Sequence, residues 1–526
     1  MDERSQLEAV LLLLTGVLVF MAIARRLTIP YPIFLVLGGL VLSFVPRVPV
    51  VHLDPDLVFL VFLPPVLWAA AYFTSLRDFR YNLRTISLLA VGLVVVTTAA
   101  VAAVARAIVP GMPWPAAFAL GAIVSPPDAV AATAIARKLN LPHRLVTVLE
   151  GESLVNDATA LVLYRAAVAA AMTGTFVLSA TLLQFVIAAV GGVAVGLLVG
   201  ALTRLALRYT DESLTAIAIT LVSPYAAWLM SERLHVSAVL ACVAGGVYLR
   251  QGFSEITAPA VRLQARAVWD LLVFLLNGVI FVLIGLQVGA IRETGLPGGL
   301  GHFVLKGVLI SAAAIAVRLA WVPLAVVIPR LVSRRLRARD PLPPFSHVLV
   351  VAWAGMRGIV SLAAALALPL SFPYRSEIVL FTFIVILSTL VVQGLTLTPL
   401  IRLLRVSEDD TLQREEAFAR EEAARAALAR VDALAREPWA LPEEVERTRD
   451  RYTQRVRHAS PIALGGDEGS AKARAAYRRL RHQAIEAERH RLIELRDQGA
   501  ISDEVLHRLE QELDVEAMRL GLSEVR

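Results

Sequence analysis

Thirteen apolar stretches recur between Leu7 and about Leu404, each of a length that crosses about 30 Å of hydrocarbon as a helix. They lie near 7–24, 29–46, 56–73, 83–109, 115–136, 145–173, 176–207, 213–231, 235–250, 267–289, 303–330, 346–369 and 376–404. A backbone in hydrocarbon must satisfy its own amides and carbonyls, so each stretch reads as a helix. With 57% hydrophobic residues in 526, no ordinary soluble domain fits this chain, and an all-α polytopic membrane protein does. A secretory signal is the other reading of the first stretch. Its acidic amino end (Asp2, Glu3, Glu8) and the lack of a small-residue cleavage site favour a retained helix.

Thirteen crossings place the two ends on opposite sides. Assigned alternately, the loops of one side hold twenty Lys and Arg, among them Arg25, Arg26, Arg137, Lys138, Arg250, Arg262, Arg266 and Arg402. The other side holds seven, including Arg4, Arg47 and Arg375. The positive-inside rule then puts the amino terminus outside and the carboxyl terminus in the cytoplasm. The net charge of +7 divides the same way: residues 1–405 carry thirty Lys and Arg against eighteen Asp and Glu, and 406–526 carry twenty-one against twenty-six. The basic surplus thus belongs to the membrane region and its anionic lipid headgroups, not to nucleic acid. The single cysteine, Cys242, lies inside an apolar stretch, which excludes disulfides within the chain. Arginine far outnumbers lysine, a bias of GC-rich bacterial genomes, so the expected location is a bacterial cell membrane.

Near Val406 the apolar pattern gives way to Glu/Arg/Ala-rich sequence with opposite charges one turn apart. The expected domains are therefore a transmembrane region, 1–405, and a helical cytoplasmic tail, 406–526. Pro438, Pro442 and the stretch 461–470 interrupt the tail, leaving three helices, of which 471–498 and 502–520 are clearest. The tail reads either as a solvated hairpin or dimerisation element, or as a sensor of ions or pH.

Two stretches carry interruptions. Ser125-Pro126-Pro127-Asp128 stands mid-span in the fifth and Ala354-Gly355-Met356-Arg357-Gly358 in the twelfth. Broken helices at corresponding places in two halves point to a transport site built from inverted repeats, here spans 4–6 and 11–13. A break leaves unpaired amides, which suit a carboxylate, and unpaired carbonyls, which suit a cation. Asp128 and Arg357 are the residues at hand to compensate their own breaks.

The sixth stretch contains EGESLVNDATAL, 150–161. A charge near a bilayer centre costs at least roughly 2.5–3.5 kcal/mol, so such residues mostly serve a purpose. Glu150, Ser153 and Asp157 share one helix face, whereas Glu152 lies about 140° from Asp157. Asp157 and Ser153 offer the hard oxygen ligands that a small monovalent cation prefers. Glu152 then needs a buried cation, and Arg318 in the eleventh stretch is the expected partner. Taken alone, Ser153 and Asn156 are ordinary interhelical hydrogen-bonding groups and Arg318 a snorkelling residue. A carboxylate that holds either a proton or a cation, but not both, produces exchange by competition. Asn277, Gln287, Gln184 and Arg165 are assigned to packing or to an aqueous cavity wall.

VSPPDAVA (124–131), EGESLVNDA (150–158), FVLIGL (281–286) and AGMRG (354–358) together resemble the cation/proton antiporter 1 family of sodium/proton exchangers over residues 7–405. The resemblance implies a homodimeric antiporter with two crossed, partly unwound helices beside the ion site. It also implies exchange of Na+, or K+ or Li+, for H+, with no cofactor and no enzymatic reaction. On that basis Asp157 looks like the ion- and proton-binding aspartate, Asn156 its shaping partner, Ser153 the hydroxyl ligand and Asp128 the aspartate of the crossed break. Glu152 and Arg318 look like the buried ion pair, Arg357 like the arginine of the second break, and the Asn-Asp order is linked with electroneutral exchange. Two positions depart from the pattern: Ala69 stands where many relatives have Glu, and Pro127 where Thr often precedes the break aspartate. Weaker selectivity, or preference for K+, is the expected consequence. A cation channel is the rival reading, separated by whether flux persists without a pH gradient. An intramembrane protease is excluded, since HExxH, GxSxG and the paired-aspartate signature are missing.

Overall fold

The computed structural model of the protein describes residues 15–24, 30–45, 54–175, 178–210, 212–293, 300–406, 411–463, 468–498, 500 and 503–519. Among these residues the regular secondary structure is entirely helical. The chain divides into two compact units, Met1–Glu408 and Asp409–Arg526.

The first unit contains α1 (Thr15–Ala24), α2 (Tyr31–Leu42), α3 (Pro55–Phe73), α4 (Leu76–Ile108), α5 (Trp114–Val124), α6 (Ala129–Lys138), α7 (His143–Thr173) and α8 (Leu178–Arg208). It continues with α9 (Ser213–Arg233), α10 (Ala238–Ile256), α11 (Pro259–Glu293), α12 (Leu300–Val332), α13 (Phe345–Trp353), α14 (Ile359–Leu366) and α15 (Arg375–Leu403). With α5 and α6 taken as one stretch, nine are long and apolar enough to cross a membrane among the described residues; α1, α2 and α10 are shorter apolar helices. Asp2, Glu3, Glu8, Arg4, Arg25, Arg26 and Arg47, used above for topology, lie outside the described residues.

Local chemistry sets the helix ends. Ser75 and Ser237 cap α4 and α10 by accepting from the amides of Asp78 and Leu240 at 3.3 Å each. Gly174, at φ 73°, closes α7 in the left-handed conformation that a side chain would resist. Three spans contain a π-helical turn, at Val58–Phe62, Leu88–Leu93 and Thr389–Gln393. A residue of each turn accepts a hydrogen bond from a distant segment. Tyr225 Oη donates to the Val61 carbonyl at 3.2 Å, Trp321 Nε1 to the Leu88 carbonyl at 3.0 Å, and the Arg357 amide to Thr389 Oγ1 at 3.1 Å. Helices meet through small residues, as expected where lipid supplies no hydrophobic drive. A Cβ on Gly121 of α5 would stand 2.3 Å from the Thr98 carbonyl of α4, so the two backbones touch.

The second unit consists of α16 (Thr411–Leu434), α17 (Pro442–Ala463), α18 (Glu468–Asp497) and α19 (Asp503–Arg519). Four helices stand where the sequence suggests three. Pro442 starts α17 instead of interrupting a helix, because a first-turn proline forfeits no hydrogen bond. Arg449 Nε reaches Asp432 at 2.9 Å between α16 and α17, and Arg489 reaches Asp514 at 2.5 Å between α18 and α19.

Candidate functional site

The two interrupted spans meet at their breaks. α5 ends at Val124 and α6 begins after Asp128, while α13 ends at Trp353 and α14 begins after Gly358. The Asp128 amide donates to the Met356 carbonyl at 2.6 Å, which joins the breaks through main chain. Gly358 makes the approach possible: a Cβ there would lie 2.0 Å from Asp128 Oδ2.

Each charged residue of the breaks serves chain ends by sign. Asp128 caps α6, accepting from the Val130 amide at 2.9 Å, and its other oxygen abuts Gly358 at the start of α14. The Arg357 side chain, buried to 1% exposure, donates from Nε to the Val124 carbonyl at 3.1 Å and from Nη1 to the Gly355 carbonyl. Negative charge thus stands at two amide ends and positive charge at two carbonyl ends, the arrangement helix dipoles favour. Arg357 serves the other break as well as its own.

α7 passes beside this crossing and carries EGESLVNDATAL. Asn156, fully buried, donates from Nδ2 to the Pro127 carbonyl at 2.8 Å, taking up an acceptor that the break between α5 and α6 leaves outside any helix. Glu152 and Arg318 are both 1% exposed and pair in fork geometry, at 2.5 Å for Nη1 to Oε1 and 2.9 Å for Nη2 to Oε2. Arg318 Nη2 also donates to the Val351 carbonyl at 3.1 Å, so the pair ties α7, α12 and α13 together. Gly355 leaves room for it, since a Cβ there would meet Arg318 Cδ at 2.4 Å.

A cavity of about 750 Å³ lies alongside, its wall including Asp157, Ser153, Asp128, Gly358, Ser361 and Ala69. Asn277 is also in that wall, whereas Asn156, Glu152, Arg318 and Arg357 are not. The seven candidate residues thus divide into three on the cavity, one shaping the break from behind, an ion pair and a carbonyl-binding arginine. Four carboxylates on the cavity are Asp128, Glu150, Asp157 and Asp270. Asp128 caps α6, Glu150 accepts from Arg137 Nη2 at 2.7 Å, and Asp270 faces Arg266 at 3.8 Å. Asp157, 7% exposed, makes no hydrogen bond or ion pair among the described residues. It is the carboxylate of this cavity left with its oxygens uncommitted.

Two features were missed at the level of sequence. Glu150, which had no assigned role, pairs with Arg137 across α6 and α7. Ser361, 1% exposed with an Oγ that has no hydrogen-bond partner, lines the cavity from α14. Its place three residues after the Gly358 cap was the available signal.

Residues 10–403 match the family model described as sodium/hydrogen exchanger, transmembrane. The chain belongs to that family. It is 36% identical over 526 residues to an uncharacterized Na+/H+ exchanger of Mycobacterium tuberculosis, covering 98% of this chain and 96% of the relative. A sodium, potassium, lithium and rubidium/H+ antiporter of Bacillus pumilus is 31% identical over 387 residues, covering 70% of this chain and 57% of the relative. The solved structure of the sodium proton antiporter MjNhaP1 from Methanocaldococcus jannaschii at pH 8 superposes with a TM-score of 0.59. That match covers 77% of this chain and all of the other at 19% identity, a likeness of fold. This member of the sodium/hydrogen exchangers is therefore a multi-pass membrane protein of a transporter family.

Proposed function

We propose that the chain is a secondary antiporter that exchanges a monovalent cation for H+ across a bacterial cell membrane, with both competing for Asp157. The supporting observation is that Asp157 is the buried carboxylate of the cavity without a hydrogen bond or ion pair among the described residues, whereas Asp128 caps α6, Glu150 pairs with Arg137 and Asp270 is exposed beside Arg266. Ser153 supplies a hydroxyl ligand, Ser361 a further one, and Asn156 holds the break that presents Asp128. A cation that gives up water for these oxygens leaves no room for the proton on the same carboxylate. One cation then exchanges for one proton without net charge movement.

Arg137, Lys138 and Arg402 line the cavity at exposed positions, and the positive-inside rule assigns them to the cytoplasm. On this reading the cavity is open inward, the amino terminus lies outside, the tail is cytoplasmic, and the exchanger works as a homodimer.

A broad choice among Na+, Li+ and K+ is the reading of selectivity. Ala69 stands on the cavity wall where a carboxylate would tighten the shell around a small ion, and the Bacillus pumilus relative is named for four alkali ions. Proteoliposomes with an imposed pH gradient test the reading. Wild type collapses the gradient on addition of Na+, Li+ or K+ and Asp157→Asn does not; equal exchange by the two would sink the proposal.

A further inference from the structure

We propose that a second cavity, between α3, α9, α10 and α11, binds a phosphate oxyanion, and that its occupant is the headgroup of an anionic phospholipid. The cavity has a volume of about 180 Å³, and Arg250, Arg262 and Arg266 are among the residues that line it. Trp68, Tyr72 and Trp269 also line it, and among the described residues no carboxylate is part of the wall. At about 30 Å³ per water that is room for roughly six waters, enough for a hydrated phosphate group and too little for acyl chains.

Sequence spacing assembles the site. Trp68 and Tyr72 are one turn apart on α3, and Arg262, Ala265, Arg266 and Trp269 follow i, i+3, i+4, i+7 on α11. Arg250 comes one turn after Gly246 on α10, where a Cβ would stand 2.7 Å from the Trp68 carbonyl. That contact brings α3 against α10 and places the guanidinium of Arg250 5.6 Å from the Tyr72 ring. Trp269 is held by its indole N–H, which donates to Thr220 Oγ1 at 3.1 Å.

The cavity lies at the end of the α10–α11 hairpin, where the chain turns at Thr257 and Ala258. Arginines and tryptophans at such a level sit among headgroups. Basic recesses between membrane helices bind anionic headgroups, and the guanidinium fork matches two phosphate oxygens. Arg266 is 73% exposed and its nearest carboxylate, Asp270, is 3.8 Å away, a weak tie that an anion displaces readily. Ala69 and Phe73 line this cavity and the larger one. A headgroup here therefore braces α3, the helix that separates it from Asp157.

The test is the melting of the purified full-length chain in a zwitterionic detergent, read by tryptophan fluorescence. Phosphatidylglycerol, phosphatidylcholine and inorganic phosphate are titrated separately. Phosphatidylglycerol raises Tm by on the order of 2 °C at tenfold excess over its Kd, phosphatidylcholine does not, and Arg250→Gln/Arg262→Gln/Arg266→Gln loses the shift. Arg77→Gln/Arg80→Gln, at exposed basic positions on α4, keeps it. An equal shift with millimolar inorganic phosphate alone supports the oxyanion site and overturns the lipid as its occupant. Should the triple variant fail to fold, Arg266→Gln alone lowers the apparent affinity roughly fivefold. A shift unchanged in these variants, or absent in wild type, overturns the site.

Discussion

The Glu152–Arg318 pair lends itself to a quantitative test because its two partners have few alternatives. Both side chains are 1% exposed, and among the described residues Arg318 donates, apart from the carboxylate, only to the Val351 carbonyl, with Nε unpartnered. In Glu152→Gln the guanidinium keeps its charge and loses its counter-ion, which costs about 3–5 kcal/mol. Against a total stability of roughly 5–15 kcal/mol that is a large loss. Melting of the purified protein should fall by roughly 4–7 °C, since 1 kcal/mol moves Tm by about 2–4 °C in domains of 150–250 residues and by less in a unit the length of this one. The double variant Glu152→Leu/Arg318→Met removes both charges and fills similar volume, so it should recover most of the loss. Because the pair is absent from the cavity wall, the apparent KM for the cation should change little in either. A Glu152→Gln protein melting within about 1–2 °C of wild type, or a double variant as unstable as the single, would show that the pair does not brace α7 against α12 and α13.

Gly358→Ala places a Cβ against Asp128 Oδ2 and forces the two breaks apart. Folded yield from membranes should drop sharply, and recovery of wild-type yield and exchange would mean that the breaks tolerate separation. Ala69→Glu adds a carboxylate to the wall of the cavity that Asp157 also lines. Gradient-collapse assays should show the ratio of KM for K+ to KM for Na+ rising roughly fivefold or more, about 1 kcal/mol of discrimination; an unchanged ratio would remove Ala69 from the account of selectivity.

The apolar stretches and the two breaks were legible because hydrocarbon imposes length and pairing on the backbone. The partnership of Glu152 with Arg318 was legible for the same reason: a buried charge demands a partner, and few were available 166 residues away. Glu150 with Arg137 was not, since the arginine side chain is 67% exposed and a charge in water needs no partner. Nor did local pattern reveal that Arg357 reaches the Val124 carbonyl 233 residues back, because only the meeting of the breaks brings them together. The fourth tail helix was hidden by Pro442, which reads as an interruption unless its place in the first turn is known.

Competition at one carboxylate is tested most directly by the apparent KM for Na+ as a function of pH, measured in proteoliposomes at equal pH on both sides with isotopic Na+ uptake. If cation and proton exclude each other on Asp157, KM rises about tenfold for each unit the pH falls through the range where the site is mostly protonated, while the maximal rate at saturating Na+ changes little. A KM independent of pH, with the loss of rate at low pH appearing only in the maximal rate, would contradict a shared site.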